Sequence, residues 1–191
     1  MPHPRFFGYG SLVNRRTHDY PNARAARAEG WRREWVQTDA RRFAYLSVKR
    51  DASTVISGLV AEVPQGDWRA LDHREVAYDR LSCTAAILSD AETTHETAIY
   101  AVPAVTAYRK PEEHPILLSY LDVVLQGYLR EFGWAEAERF LETTDGWEAP
   151  ILDDRANPHY ARHQELDAHE TRFVDKALAA LATRVIDDTS R

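Results

Sequence analysis

A chain of 191 residues with 30 acidic and 24 basic side chains, net charge −6, is long enough to bury a core without staples and has the wrong sign for a general nucleic-acid binder. Its one cysteine, Cys83, leaves no intrachain disulfide to form, and no run approaches the roughly 18 apolar residues of a membrane span. No apolar run of signal-peptide length follows Met1 to Arg5, so the expectation is a cytoplasmic protein folding as a single domain over residues 1–191.

The chain opens on Phe6-Phe7-Gly8-Tyr9-Gly10-Ser11-Leu12, an apolar run feeding two glycines and a hydroxyl. Glycine serves where a backbone turns sharply or lets a ligand approach its N–H groups. The stretch therefore predicts a first strand, Arg5 to Tyr9, and a tight loop whose Gly10, Ser11 and Leu12 amides are available to negative charge. An ordinary turn after an edge strand would produce the same pattern. Val13 stands where a dinucleotide fingerprint needs its third glycine, and no Gly-Lys-Ser/Thr phosphate loop follows. A nucleophile elbow would need glycines where Tyr9 and Val13 flank Ser11, which argues against Ser11 as a nucleophile. Cys83, in an apolar run, is expected to be a small core residue.

Further strands are predicted at Gly30 to Gln37, Phe43 to Val48, Val55 to Val63, Arg80 to Leu88 and Thr97 to Val102, each bounded by polar or turn residues. In Val55 to Val63, apolar residues occupy both period-two faces, so both sides should be covered. The basic cluster from Arg24 to Arg42, interleaved with Trp31 and Trp35, fits a solvated strand face or the rim of an anionic-substrate site better than a nucleic-acid surface, given the acidic balance.

Among these strands one helix is predicted, Trp68 to Ala77, with Asp67 as its N-cap. At 100° per residue Trp68, Leu71, Glu75 and Tyr78 fall in one stripe, which places Glu75 on the apolar face. A carboxyl held there should have its ionised form disfavoured, the condition for acid or base work near neutrality. The competing reading is a structural ion pair with Arg74 or an arginine of the basic strands.

After residue 110 the pattern turns helical. Leu117, Leu121, Val124 and Tyr128 repeat at helical spacing, and Asp167 with Glu170 forms a capping-box start to a helix carrying Val174, Leu178, Leu181 and Val185. Between them, residues 147–155 form a proline-marked connection that either crosses a pocket mouth or joins two helices. His159 and His163 have the spacing of a helical metal pair, but no carboxylate completes a zinc motif and Asn157-Pro158 predicts a turn; no metal is expected, and His95-Glu96 likewise lacks its second histidine.

Phe7-Gly8-Tyr9-Gly10-Ser11-Leu12 followed by Leu71-Asp72-His73-Arg74-Glu75 and then Tyr78 resembles the gamma-glutamylcyclotransferase superfamily, in its ChaC-like and AIG2-like branches. The resemblance covers residues 5–110 and implies an α+β fold, a small mixed β-sheet curled into a partial barrel with packed helices. Residues 111–191 are then a helical extension packed on that core. It also implies that Gly8, Tyr9, Gly10, Ser11 and Leu12 hold the gamma-glutamyl group through backbone amides, that Glu75 is the general acid/base, and that Tyr78 and Tyr108 line the pocket. Between Glu75 and Tyr78 this chain has only Val76-Ala77, where ChaC-like proteins carry a longer glycine-containing insert.

The implied chemistry is cyclisation of a small gamma-glutamyl compound to 5-oxoproline with release of the amine, and it requires no cofactor. The substrate's own α-amine is the nucleophile, so intramolecularity removes much of the entropic barrier. The alternatives are a non-catalytic binding module on the same fold, or cyclotransfer on gamma-glutamyl amines or a protected biosynthetic intermediate. The expected partner is the small gamma-glutamyl substrate, not nucleic acid or membrane; the motifs carry no signal of oligomeric state.

Overall fold

A computed structural model describes residues 3–88, 95–107, 111–181 and 183–188. In chain order the elements are β1 (Arg5–Gly8), β2 (Arg24–Val36), β3 (Tyr45–Glu62), α1 (Arg69–Arg74), β4 (Asp79–Ser82), β5 (Ile87–Leu88), β6 (Thr97–Ala101), β7 (Ile116–Leu117), α2 (Leu118–Phe132), α3 (Trp134–Glu142), β8 (Thr144–Asp145), β9 (Ile151–Asp153), α4 (Ala168–Leu181) and β10 (Val185–Asp187). The main sheet runs β4-β6-β1-β3-β2-β5, with β8 sharing the outer edge of β2, and curls into a half-barrel. A second, three-stranded sheet runs β10-β9-β7. The fold is α+β, as the resemblance implied.

Two predicted strands, Phe43 to Val48 and Val55 to Val63, are parts of the single strand β3, which pairs antiparallel with β2 over almost its whole length. β2 is longer than predicted because its register shifts between Glu29 and Trp31, where Gly30 takes a φ of +76° that a side chain would strain. This bulge lets one strand bend around the barrel instead of ending. The predicted strand Arg80 to Leu88 is broken by a turn of 3-10 helix at Thr84–Ala86 into β4 and β5. Cys83 is buried in the core, and its thiol is pushed up to about 12 by that burial, so it is inert packing.

On β2 the period-two alternation turns Trp31, Arg33 and Trp35 inward, each about 1% exposed. Arg33 is therefore neither on a solvated face nor at a rim. Its guanidinium donates to Thr144 Oγ1 (3.2 Å), the Ser57 carbonyl (3.3 Å), Tyr128 Oη (3.1 Å) and Thr143 Oγ1 (2.6 Å), and lies 4.6 Å from the Phe140 ring centroid. Hydrogen bonds, not solvent, compensate this buried charge.

In the C-terminal part α2 buries Leu121, Val124 and Tyr128 against the main sheet, while Leu117 falls in β7 just before the helix. Tyr128 Oη donates to the carbonyls of Ser57 (2.6 Å) and Tyr9 (2.9 Å), which joins the helix to β3 and to the loop after β1. α3 carries no predicted counterpart. The capping box before α4 forms in both directions, from Glu170 N to Asp167 Oδ1 and from Asp167 N to Glu170 Oε2, each 2.9 Å. Val185 does not extend that helix; it sits in β10, 46% exposed. Among the described residues no helix is long and apolar enough to cross a membrane.

Candidate functional site

β1 ends at Gly8, and the chain turns through a short 3-10 helix, Ser11–Val13, held by bonds from Val13 N to the Gly10 carbonyl (2.9 Å) and from Asn14 N to the Ser11 carbonyl (3.1 Å). The predicted amides of Gly10, Ser11 and Leu12 lie outside these two bonds. Gly10 is required by close approach: a Cβ there would lie 2.6 Å from the Tyr120 hydroxyl, on the first turn of α2. The Ser11 backbone is near enough to that phenol to oppose, in part, the rise that burial causes in it.

α1 is shorter than predicted. It starts at Arg69, whose amide donates to Asp67 Oδ1 at 3.1 Å, and closes with Glu75 N donating to the Leu71 carbonyl at 2.9 Å. Glu75 is thus the C-cap (φ −102°, ψ 34°), not an interior helical residue, because the backbone from Asp79 onward is claimed by β4 pairing with β6. Leu71 is buried as the stripe required, but Trp68 packs with the Phe6 and Leu71 cluster under the Arg80 guanidinium, away from the carboxyl.

The Glu75 side chain lines two adjacent spaces. One is a narrow recess of about 30 Å³ walled by Gly8 to Leu12 and Tyr78; the other is a wider cavity of about 130 Å³. Ser11, Leu46, Glu75, Tyr78 and Tyr120 line both. A water needs roughly 10–15 Å³ by this measure, so the recess holds a group of only a few heavy atoms. The structure therefore brings Gly8, Tyr9, Gly10, Ser11, Leu12, Glu75 and Tyr78 to one place. Tyr108 lies outside the described residues.

With only 16% of its side chain exposed, Glu75 has its carboxyl pushed up from the usual range by burial; Arg74, then Arg162 and Arg41, oppose the rise. The phenols of Tyr9, Tyr78 and Tyr120 are pushed up in turn, chiefly by burial and in part by the Glu75 charge. A ring of neutral tyrosines, and not Trp68, thus surrounds the carboxyl. Two of them are fixed by hydrogen bonds: Tyr9 Oη donates to the Tyr100 carbonyl (2.6 Å) and Tyr78 Oη to the Leu46 carbonyl (3.0 Å).

The ion pair weighed at the sequence level is also present. Arg74 Nε lies 3.3 Å from Glu75 Oε1, while its other nitrogens donate to the Thr17 carbonyl (2.9 Å), Thr17 Oγ1 (3.1 Å) and Ser11 Oγ (3.3 Å). Arg74 ties the glycine loop to the carboxyl. Ser11 meets an arginine there, not a base, consistent with the argument against a nucleophile.

Sequence reasoning missed Tyr120, Tyr160 and Arg162, which also line the wider cavity, as does Arg41 from the basic cluster read as a solvated face or a rim. Tyr120 falls outside the Leu117, Leu121, Val124 and Tyr128 stripe; an aromatic off the apolar stripe was the available signal. Tyr160 and Arg162 come from the segment passed over as a histidine pair. That segment is irregular: His159 Nε2 bonds Asp188 Oδ2 (2.8 Å) and His163 Nδ1 bonds the Tyr160 carbonyl (3.1 Å). No group of three metal-ligating side chains exists among the described residues. The connection at 147–155 does not line the cavity, but its Asp154 accepts from Ser119 N (2.8 Å), Ser119 Oγ (2.6 Å) and His159 N (2.8 Å). One buried carboxylate thereby caps α2 and anchors the segment that carries Tyr160 and Arg162.

Comparison with solved structures finds the same fold at low identity. A protein described as gamma-glutamyl cyclotransferase aligns with TM-score 0.58 and 13% identity over 92% of this chain and 99% of its own. An uncharacterized protein from Homo sapiens aligns with TM-score 0.58 and 12% identity over the same shares. YkqA from Bacillus subtilis aligns with TM-score 0.59 and 13% identity over 76% of this chain and 57% of its own. No curated protein matches the sequence. The family model described as "Gamma-glutamyl cyclotransferase, AIG2-like" matches residues 6–121, more than half of the 191, and ends just past Tyr120. With the glycine loop and Glu75 both inside that match, the chain belongs to the AIG2-like gamma-glutamyl cyclotransferase family.

Proposed function

We propose that the protein is a gamma-glutamylcyclotransferase that closes the gamma-glutamyl group of a small substrate to 5-oxoproline and releases the amine. The observation that carries this reading is the position of Glu75: a mostly buried carboxyl, raised by that burial, that lines both the glycine-loop recess and the wider cavity of a family fold. In this reading only the γ-carbonyl end of the gamma-glutamyl group, a few heavy atoms, enters the recess, its oxygen facing the loop amides. The Glu75 carboxylate takes a proton from the substrate α-ammonium, and the freed amine attacks the γ-carbonyl carbon. The oxygen of that carbonyl gathers negative charge, which the loop amides stabilise. Glu75 then returns its proton to the departing nitrogen as the C–N bond breaks, and takes up the second proton that the new ring nitrogen sheds, which leaves on the released amine as its ammonium. One residue serves as base and then acid, so no second titrating group is needed. Incubating the protein with a panel of gamma-glutamyl compounds and measuring 5-oxoproline tests the reading; a Glu75→Gln protein as active as the parent would remove Glu75 from it.

A second reading is favoured by the 3.3 Å contact with Arg74: Glu75 as a structural ion-pair partner in a site that binds without turnover. Removing one member of a buried pair leaves an uncompensated charge and destabilises strongly. A Glu75→Gln protein that melts much earlier, and that matches the parent in whatever it binds, would support this second reading.

A further inference from the structure

We propose that Arg33, which lies outside the cavity, is a positioning residue for the cyclisation: through the Tyr128 hydroxyl it holds and polarises the Tyr9–Gly10 peptide, so that the Gly10 N–H faces the recess as a strengthened donor. This rests on the cyclotransferase reading, which puts the oxygen that gathers charge in that recess. The motive is a fully buried guanidinium with which no carboxylate pairs among the described residues. Glu136, whose charge does reach Arg33, is bonded to Ser57 Oγ at 2.6 Å and shared with Arg27 (3.9 Å) and Arg139 (4.0 Å). The acceptors of Arg33 are all neutral: two threonine hydroxyls, the Ser57 carbonyl and Tyr128 Oη. Burying an unpaired cation is costly, and packing alone would be served at less cost by an apolar side chain. The charge therefore calls for a use. Arg33 Nη1 donates to Tyr128 Oη at 3.1 Å, and that hydroxyl donates to the Tyr9 carbonyl at 2.9 Å. Its one proton is shared with the Ser57 carbonyl (2.6 Å), which takes a further bond from Arg33 Nη1 at 3.3 Å.

The Tyr9 carbonyl and the Gly10 N–H belong to one planar peptide unit. In a trans peptide the two point in opposite directions, so a carbonyl tied to the core on the Arg33 side turns the N–H to the other side of the loop. That side is the recess. Tyr9 and Gly10 line it, and a Cβ at Gly10 would meet Leu46 and the Tyr120 hydroxyl, which line it too. The Gly10 N–H takes no part in the backbone bonds that close the turn, and so is left to a ligand. Neither Arg33 nor Tyr128 lines either space, so both act through the peptide and not on the substrate. Hydrogen bonds in series polarise one another, and a charged donor at the head of the series strengthens those that follow. The field of the guanidinium acts in the same sense, because its charge reaches Tyr9 directly. The substrate oxygen carries its full negative charge only near the tetrahedral transition state, so this contribution belongs to kcat more than to binding. Tyr128 lies beyond the stretch matched by the family model, so that match does not contain the relay.

The test compares three variants. Tyr128→Phe keeps the ring and removes the hydroxyl, Arg33→Met removes the charge, and Thr144→Val removes another buried partner of the same guanidinium, on β8, without touching the Tyr9 carbonyl. With the gamma-glutamyl compound that the parent turns over fastest, Tyr128→Phe and Arg33→Met should lower kcat by roughly tenfold or more and leave KM within about twofold. Thr144→Val should melt earlier but keep kcat within about twofold. A merely structural Arg33 would make Thr144→Val and Tyr128→Phe lose activity alike, in proportion to the folded protein remaining. That pattern, or a Tyr128→Phe protein with the parental kcat, overturns the proposal. If Arg33→Met does not fold, Tyr128→Phe and Thr144→Val still decide it. A readout without turnover is the amide nitrogen resonance of Gly10 in isotopically labelled protein, which responds to the hydrogen bond at the preceding carbonyl. It should move in Tyr128→Phe and Arg33→Met and stay in place in Thr144→Val. Such movement in a protein whose parent makes no 5-oxoproline from any gamma-glutamyl compound would uphold the relay and sink the cyclotransferase reading; an unmoved resonance would sink the relay whatever the turnover.

Discussion

At the floor of the cavity the groups are backbone amides, neutral phenols and one carboxyl, supplied by short segments near residues 8–12 and 75–78 and by Tyr120; at the mouth they are guanidiniums supplied by residues 41 and 162. The floor is lined by buried and half-buried side chains, with Tyr9 and Tyr78 held by hydrogen bonds to backbone carbonyls, whereas the arginines of the mouth are exposed. The floor suits proton transfer, because burial shifts a carboxyl only where water is excluded. Exposed charges at the mouth lie apart from the carboxyl, where a change alters affinity more readily than the chemical step. A perturbation of the floor should therefore reach the chemical step, and one at the mouth should reach affinity first.

The largest expected effect is at Glu75. Glu75→Gln keeps the size but removes the basic lone pair, and turnover should fall by roughly a hundredfold or more with little change in ligand affinity. An equal loss of turnover from Arg41→Met or Arg162→Met at the mouth would erase the contrast. Next comes Gly10→Val. Its side chain meets the Tyr120 hydroxyl at the loop, and ligand affinity should drop by roughly tenfold or more, read by calorimetry on a protein with unchanged circular dichroism.

The pH response sharpens the same comparison. Since burial holds the Glu75 carboxyl above its ordinary value, kcat/KM should fall on acidification through a midpoint above the ordinary glutamate value of about 4.3, and not at it. For stability the sign is opposite. A carboxyl raised on folding favours the folded state at low pH, and that contribution is lost as pH rises through the folded value. The Glu75→Gln protein should thus melt no earlier than the parent at neutral pH, with the difference shrinking as the pH is lowered; a marked early melt would favour the Arg74 ion pair as the residue's purpose. Ser11→Ala keeps the amide and loses only a 3.3 Å contact to Arg74, so turnover should stay within about threefold. A variant as inactive as Glu75→Gln would revive a nucleophilic serine.

The smallest effect lies far from the cavity. Asp167→Ala removes the cap of α4 and should lower the melting midpoint by roughly 2–4 °C. We expect the helical extension and the sheet to unfold together, so tryptophan fluorescence from β2 and far-ultraviolet ellipticity should move by the same amount. Two separated transitions would mean that the extension is independent of the floor.

What was legible in the sequence had local causes. The glycine loop is readable because close backbone approach demands glycine, and the capping box before α4 because its two partners are three residues apart. The Glu75 position was legible from helical periodicity, although the helix stops one residue short of it. Strand boundaries failed where the cause was tertiary: the bulge at Gly30 let β2 continue past its predicted start, and pairing with β2 fused two predicted strands into β3. Arg33 was misread because an arginine on a basic strand is usually solvated, and its neutral partners lie far along the chain at Ser57, Tyr128, Thr143 and Thr144.

Taken alone, then, the sequence determined the α+β class, the loop, the carboxyl and the family, because each depends on residues a few positions apart or on two short motifs in order. Only the tertiary structure decided what surrounds that carboxyl. Tyr120 reaches the loop because α2 packs on the sheet, and Arg162 reaches the cavity because Asp154 anchors its segment to the start of α2. Contacts of that kind join residues tens of positions apart, and no periodicity along the chain records which distant side chains the closing of a barrel will bring face to face.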